Sequence, residues 1–95
     1  MIEVRQTAEF RRWMRELRDR RAAQKVVQRL QRLEAGLFGD VKYFAGIGEL
    51  RIDFGPGYRV YFARRGEVVV LLLCGGDKST QQRDIERALI LAKEL

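Results

Sequence analysis

The sequence predicts a single α+β domain in the order β-α-α-β-β-β-α, and three observations carry that expectation. Apolar residues recur at helical spacing in the first third of the chain and again near its end. Between these stretches, apolar and polar residues alternate singly in two short runs split by a Gly-Pro-Gly turn. Residues 68–74 are apolar at every position, as a strand covered on both faces requires. Helical segments flanking consecutive strands joined by tight turns describe a mostly antiparallel sheet with helices packed on it. With 95 residues, the chain has room for one core, and residues 1–95 are read as one domain.

The elements follow in order. Ile2 and Val4 alternate with Glu3 and Arg5, a short strand. Thr7 is placed to cap a helix, with Glu9 in the first turn where the helix dipole favours an acid. Phe10, Trp13, Met14 and Leu17 form that helix's apolar stripe. Residues 18–21 hold the turn into a second helix, whose stripe is Val26, Val27, Leu30 and Leu33 and whose stop is Gly36. Four glycines then punctuate residues 36–48, which read as a loop carrying Asp40, Lys42, Tyr43 and Phe44. Leu50, Ile52 and Phe54 mark a half-buried strand, and Tyr58, Val60 and Phe62 mark its hairpin partner. After the apolar run, Gly75 and Gly76 are expected to turn the chain toward Asp77 and Lys78. Ser79 with Gln82 matches a capping box, opening a last helix whose stripe is Ile85, Ala88, Leu89 and Ala92.

Composition excludes several chemistries. There is no histidine and one cysteine, Cys74. An internal disulfide, a Cys/His zinc site, and hydrolases that use imidazole as base are all ruled out. Catalysis would rest on Arg, Lys, Tyr, Asp or Glu, and neither a metal nor a cofactor is expected. The longest apolar run is far shorter than the roughly 20 residues of a membrane helix. Residues 1–5 show no secretory leader's apolar stretch behind a basic head. The expectation is a cytoplasmic protein that does not engage membranes. The formal net charge is +6, and arginines outnumber lysines fifteen to four. Residues 1–35 hold ten basic and five acidic side chains; the remainder is nearly balanced. Such an excess suits a nucleic-acid partner, and arginine suits bidentate phosphate contact.

The hairpin sharpens this. With Pro56 as pivot, residue 53 pairs with 59 and residue 51 with 61. Arg51, Asp53, Arg59 and Tyr61 then share the sheet face away from the helices. One reading is an exposed Asp53–Arg59 cross-strand ion pair, worth about 0.2–1 kcal/mol. The other is a phosphate-binding concavity in which Tyr61 stacks on a base or donates a proton, with Lys78 at the rim.

The segments Glu49-Leu50-Arg51-Ile52, Gly55-Pro56-Gly57-Tyr58-Arg59-Val60-Tyr61-Phe62 and Leu71-Leu72-Leu73-Cys74-Gly75-Gly76-Asp77-Lys78, followed by Gln81 and Asp84-Ile85, resemble the RelE/ParE toxin superfamily. The chain is most similar to its HigB-type branch of addiction-module killer proteins, along essentially its whole length. The resemblance implies the toxin of a type II toxin–antitoxin module, a ribosome-dependent, metal-independent endoribonuclease that cuts mRNA and inhibits translation. It implies Arg51, Arg59 and Lys78 as catalytic residues, with Lys42 and Tyr61 binding RNA or supporting them. By their chemistry, Asp53 and Asp77 are supporting carboxylates suited to take the 2′ proton. The implied partners are the ribosome with its mRNA and a cognate antitoxin, often a helix-turn-helix protein, in an assembly such as a heterotetramer. Two alternatives stay open at this level: a ParE-like gyrase inhibitor on the same scaffold, and a nucleic-acid-binding relative without turnover.

Overall fold

Thr7 and Asp19 set where the two helices of the first half begin. In the computed structural model, which describes residues 2–95, the Thr7 hydroxyl accepts from the amide of Phe10 at 3.0 Å and donates to the carbonyl of Leu73 at 2.6 Å. It thereby opens α1 (Ala8–Glu16) and ties it to the sheet. Asp19 accepts from the amides of Arg21 and Ala22 and opens α2 (Arg20–Glu34). Gly36, at φ +86°, carries the chain out of α2. The Thr7 cap and the Gly36 stop lie where the sequence places them, and Asp19 falls within the turn expected over residues 18–21. Met1, the first of the five residues read above for a leader, lies outside the described residues.

Five strands follow the sheet order β1-β5-β4-β3-β2. They are β1 (Glu3–Gln6), β2 (Val41–Phe44), β3 (Ile47–Ile52), β4 (Tyr58–Arg65) and β5 (Val69–Asp77). β1 runs parallel to β5, and the other pairs are antiparallel. A 3-10 turn, Lys78–Thr80, leads into α3 (Gln81–Glu94). The α+β class holds and fits a RelE-like fold, with one strand more than the sequence suggests. β2 lies inside the segment read as a loop. Its two-residue turn to β3, Ala45 and Gly46, has positive φ at both positions, the geometry that matches strand twist in tight hairpins. Alanine at the first of those positions conceals the turn from residue-type rules.

The two faces of the sheet are covered differently. Leu50, Ile52, Tyr58, Val60, Phe62, Val70 and Leu72 pack with Phe10 of α1 and Ala22, Val26 and Leu33 of α2. Ile47, Tyr61, Ala63, Leu73 and Cys74 pack with Ala88 and Leu91 of α3. The face expected to lie away from the helices is therefore half covered by α3. A bulge lets side chains on β5 change sides: Tyr61 pairs with Cys74 and Phe62 with Leu72, leaving Leu73 as the extra residue.

Gly75 and Gly76 are strand residues, contrary to the turn expected of them. A Cβ on Gly75 would lie 2.4 Å from the Trp13 ring, and one on Gly76 would lie 1.9 Å from the Asp84 carboxylate. The pair lets α1 and α3 approach β5 from opposite faces. Glu9 and Arg87 join the same two helices by a bidentate ion pair at 2.7–3.0 Å, and the Arg87 hydrogen bonds hold Glu9 below its usual pKa. The capping box at the start of α3 is not formed. Ser79 lies inside the 3-10 turn, which is capped by Asp77, and Gln82 donates instead to Glu86 at 3.3 Å. No helix among the described residues is long and apolar enough to cross a membrane.

Candidate functional site

The hairpin of β3 and β4 puts two arginines directly opposite one another. Arg51 pairs with Arg59, Ile52 with Tyr58, and Glu49 with Tyr61. This register differs by two residues from one pivoting on Pro56. The turn occupies residues 53–57, closed by hydrogen bonds from Phe54 N to Ile52 O and from Gly57 N to Phe54 O. Gly55 and Gly57 supply its positive φ values. A shift of two preserves side-chain parity, so the face assignment survives while the pairs change.

Like charges facing across strands repel, and each arginine has its own carboxylate. Arg51 donates through Nε and Nη2 to Asp40 Oδ1, at 3.2 and 2.8 Å. Those hydrogen bonds, before simple charge attraction, raise its pKa. Arg59 Nε lies 3.5 Å from Glu49 Oε2, and its Nη1 donates to the Gly57 carbonyl at 3.1 Å. Asp53 forms no ion pair with Arg59. It sits exposed in the turn, and among the described residues it engages in no ion pair or side-chain hydrogen bond. The exposed Asp53–Arg59 pair is thus replaced by two others, because the longer turn takes Asp53 off the strand.

An open cleft of about 390 Å³ gathers these groups, lined by Asp40, Arg51, Asp53, Gly57, Arg59 and Lys78. Lys78 is exposed at the first position of the 3-10 turn, on the rim. Asp77 faces a different task. Its carboxylate accepts from the amide and hydroxyl of Ser79, at 2.8 and 2.5 Å, and those bonds hold its pKa down. Lys42 is exposed on β2, in the row of Glu49 and Tyr61 and outside the cleft lining.

Tyr61 departs furthest from expectation. Its side chain is fully buried beneath α3, and its hydroxyl donates to Glu49 at 3.0 Å. Burial, reinforced by the Glu49 charge, pushes the phenol far above its ordinary pKa. It therefore cannot stack on a base or hand a proton to a leaving group. Sequence reasoning missed Glu49, which is 1% exposed. In an alternating strand an acid reads as solvent-facing, and only α3 folding over it makes it internal. Asp40 and Arg29 were missed too. Arg29 donates to the carbonyls of Arg51, Phe38 and Asp40, pinning residues 38–40 so that Asp40 meets Arg51. Burial lowers its pKa. Among fifteen arginines, nothing local distinguishes it.

These features define a small α+β domain whose sheet carries an open, cationic cleft on the half that α3 leaves bare. No group of three or more His, Cys, Asp or Glu side chains suited to a metal ion occurs among the described residues. The chain belongs to the Phage derived protein Gp49-like (DUF891) family, whose model matches residues 9–95. It is 50% identical over 95 residues to an uncharacterized protein of Haemophilus influenzae (strain ATCC 51907 / DSM 11121 / KW20 / Rd), a match covering 99% of this chain and 96% of that one. No solved structure matches.

Proposed function

We propose that the protein is the toxin of a toxin–antitoxin module and acts in the cytoplasm as a ribosome-dependent endoribonuclease on mRNA. The observation that carries this reading is the direct pairing of Arg51 with Arg59 across β3 and β4, with Lys78 on the rim of the same cleft. Two guanidinium groups on adjacent strands suit the two non-bridging oxygens of a phosphodiester. The resemblance to RelE-type toxins in the segments around these residues points the same way.

In the reaction, the 2′-oxygen forms a bond to phosphorus while the bond from phosphorus to the 5′-oxygen breaks, leaving a 2′,3′-cyclic phosphate and a 5′-hydroxyl. Arg51 and Arg59 stabilise charge growing on the phosphoryl oxygens. Asp53, the cleft carboxylate not engaged by a cation, takes the 2′ proton. Asp77 is a poorer base because its hydrogen bonds favour the ionised form and weaken its hold on a proton. Lys78 donates to the departing 5′-oxygen. None of these groups aligns the RNA for in-line attack, which falls to the ribosome, and positioning of that kind supplies a large part of the barrier. A neighbouring antitoxin protein, helix-turn-helix in type, silences the enzyme.

Primer extension on a defined mRNA in a translating extract tests this reading. Wild-type protein is expected to create new 5′ ends at codons in the ribosomal A site, and Arg51→Ala to reduce them by about 100-fold or more. Free RNA should stay intact. Uncut mRNA in the presence of folded protein would overturn the nuclease, and gyrase inhibition would then be assayed. Equal cutting of free RNA would overturn the dependence on ribosomes.

A further inference from the structure

Next to the cleft arginine Arg59, and outside the cleft lining, lies a buried carboxylate that the chemistry above does not use. Glu49 sits on β3 with 1% of its surface exposed, where an ionised group must find partners. Its Oε2 accepts from the Tyr61 hydroxyl at 3.0 Å and from Gln81 Nε2, at the first residue of α3, at 2.9 Å. The same oxygen lies 3.5 Å from Arg59 Nε. That Nε is buried and donates no hydrogen bond, so the Glu49 charge is what holds it.

The two cleft arginines are consequently held in different ways. Arg51 and its partner Asp40 both stand in solvent, with side chains 43% and 56% exposed. Arg59 is 13% exposed and gripped at two points, by the Glu49 charge at Nε and by the Gly57 carbonyl at Nη1. A guanidinium is planar, so fixing Nε and Nη1 fixes the direction of Nη2 as well. Tyr61 and Gln81 in turn fix the carboxylate. β4 and α3 thus act together on one cation.

We propose that Glu49 is a positioning residue for Arg59: it pre-orients the guanidinium toward a phosphodiester in the cleft, with Tyr61 and Gln81 holding it in place. This rests on the function proposed above, and the test separates the two. Glu49→Gln keeps the size and retains an oxygen that accepts from Tyr61 and Gln81, while removing the charge that Arg59 feels. On mRNA-programmed ribosomes, Glu49→Gln is expected to lower kcat by about 10-fold or more with KM little changed, as misorientation of a catalytic group does. In an Arg59→Ala background the same change should cost nothing further. A wild-type kcat in Glu49→Gln, or an equal loss with and without Arg59, would overturn the proposal.

The second readout needs no cleavage. In wild-type protein the Arg59 Nε–H proton should give a resolved, slowly exchanging nitrogen-15-coupled NMR signal, and Glu49→Gln should shift it and speed its exchange. An unchanged signal would overturn the positioning role. Wild-type protein that cuts no mRNA, yet shows this change on substitution, would refute the nuclease while leaving the Glu49–Arg59 arrangement standing.

Discussion

Replacing Tyr61 with phenylalanine separates the buried role of this residue from the cleft role that the strand pattern suggests. The substitution removes one oxygen and leaves the ring packed against Ile47, Ala63, Leu73 and Ala88. The loss is one hydrogen bond to a buried carboxylate. Hydrogen bonds to charged groups contribute about 1.5–3 kcal/mol. Glu49 keeps its bond from Gln81 and its proximity to Arg59, so the expected cost is about 2 kcal/mol of folding stability, within that range. For a domain of this size each kcal/mol moves the melting temperature by about 4–8 °C, which gives a drop of roughly 8–16 °C for Tyr61→Phe. Thermal melts followed by circular dichroism, with urea titrations to confirm two-state unfolding, measure it directly. Cleavage below the new midpoint is expected to survive far better than in Arg51→Ala. An unchanged melting temperature combined with abolished cleavage would refute the reasoning, because a phenol whose removal costs no stability is not bonded to the buried Glu49 carboxylate.

Two other outcomes follow from the packing. Gly76→Ala should destabilise by about 1–3 kcal/mol, since the new Cβ meets Asp84, itself buried and bonded to the Thr80 hydroxyl at 2.5 Å. Gly66→Ala, strained at φ +70° but with open space around it, should cost about 1–2 kcal/mol. A Gly76→Ala chain as stable as wild type would show that α3 is not seated on β5 as described. The Cys74 thiol, 4% exposed and directed at the Asp84 carbonyl, is pushed up to about 12 by burial. Native protein at pH 8 should therefore resist iodoacetamide and react once unfolded. Because the native thiol keeps its proton after the unfolded thiol has lost it, its contribution to stability is complete below about pH 9 and declines between pH 9 and 12. A urea midpoint that rises over that window would contradict the assignment.

Much of this molecule is set by short-range chemistry that the sequence displays. Thr7 caps a helix because its side-chain oxygen accepts from a first-turn amide, Asp19 does the same inside the expected 18–21 turn, and Gly36 ends a helix because it tolerates positive φ. The even-numbered hydrophobes of β3 and β4 settle which residues share a face, so Arg51 and Arg59 were legible as neighbours even with the wrong turn length. What escaped depends on contacts between residues distant in the chain. Ala45-Gly46 hides the β2–β3 hairpin, and the two glycines of β5 look like a turn until Trp13 and Asp84 close on them. Glu49 and Tyr61 read as a surface acid and a surface phenol. They become the buried support of Arg59 only when α3 packs across their half of the sheet and leaves the other half open. Local pattern determines where a side chain points, whereas its exposure to water is decided by whichever distant element comes to lie over it.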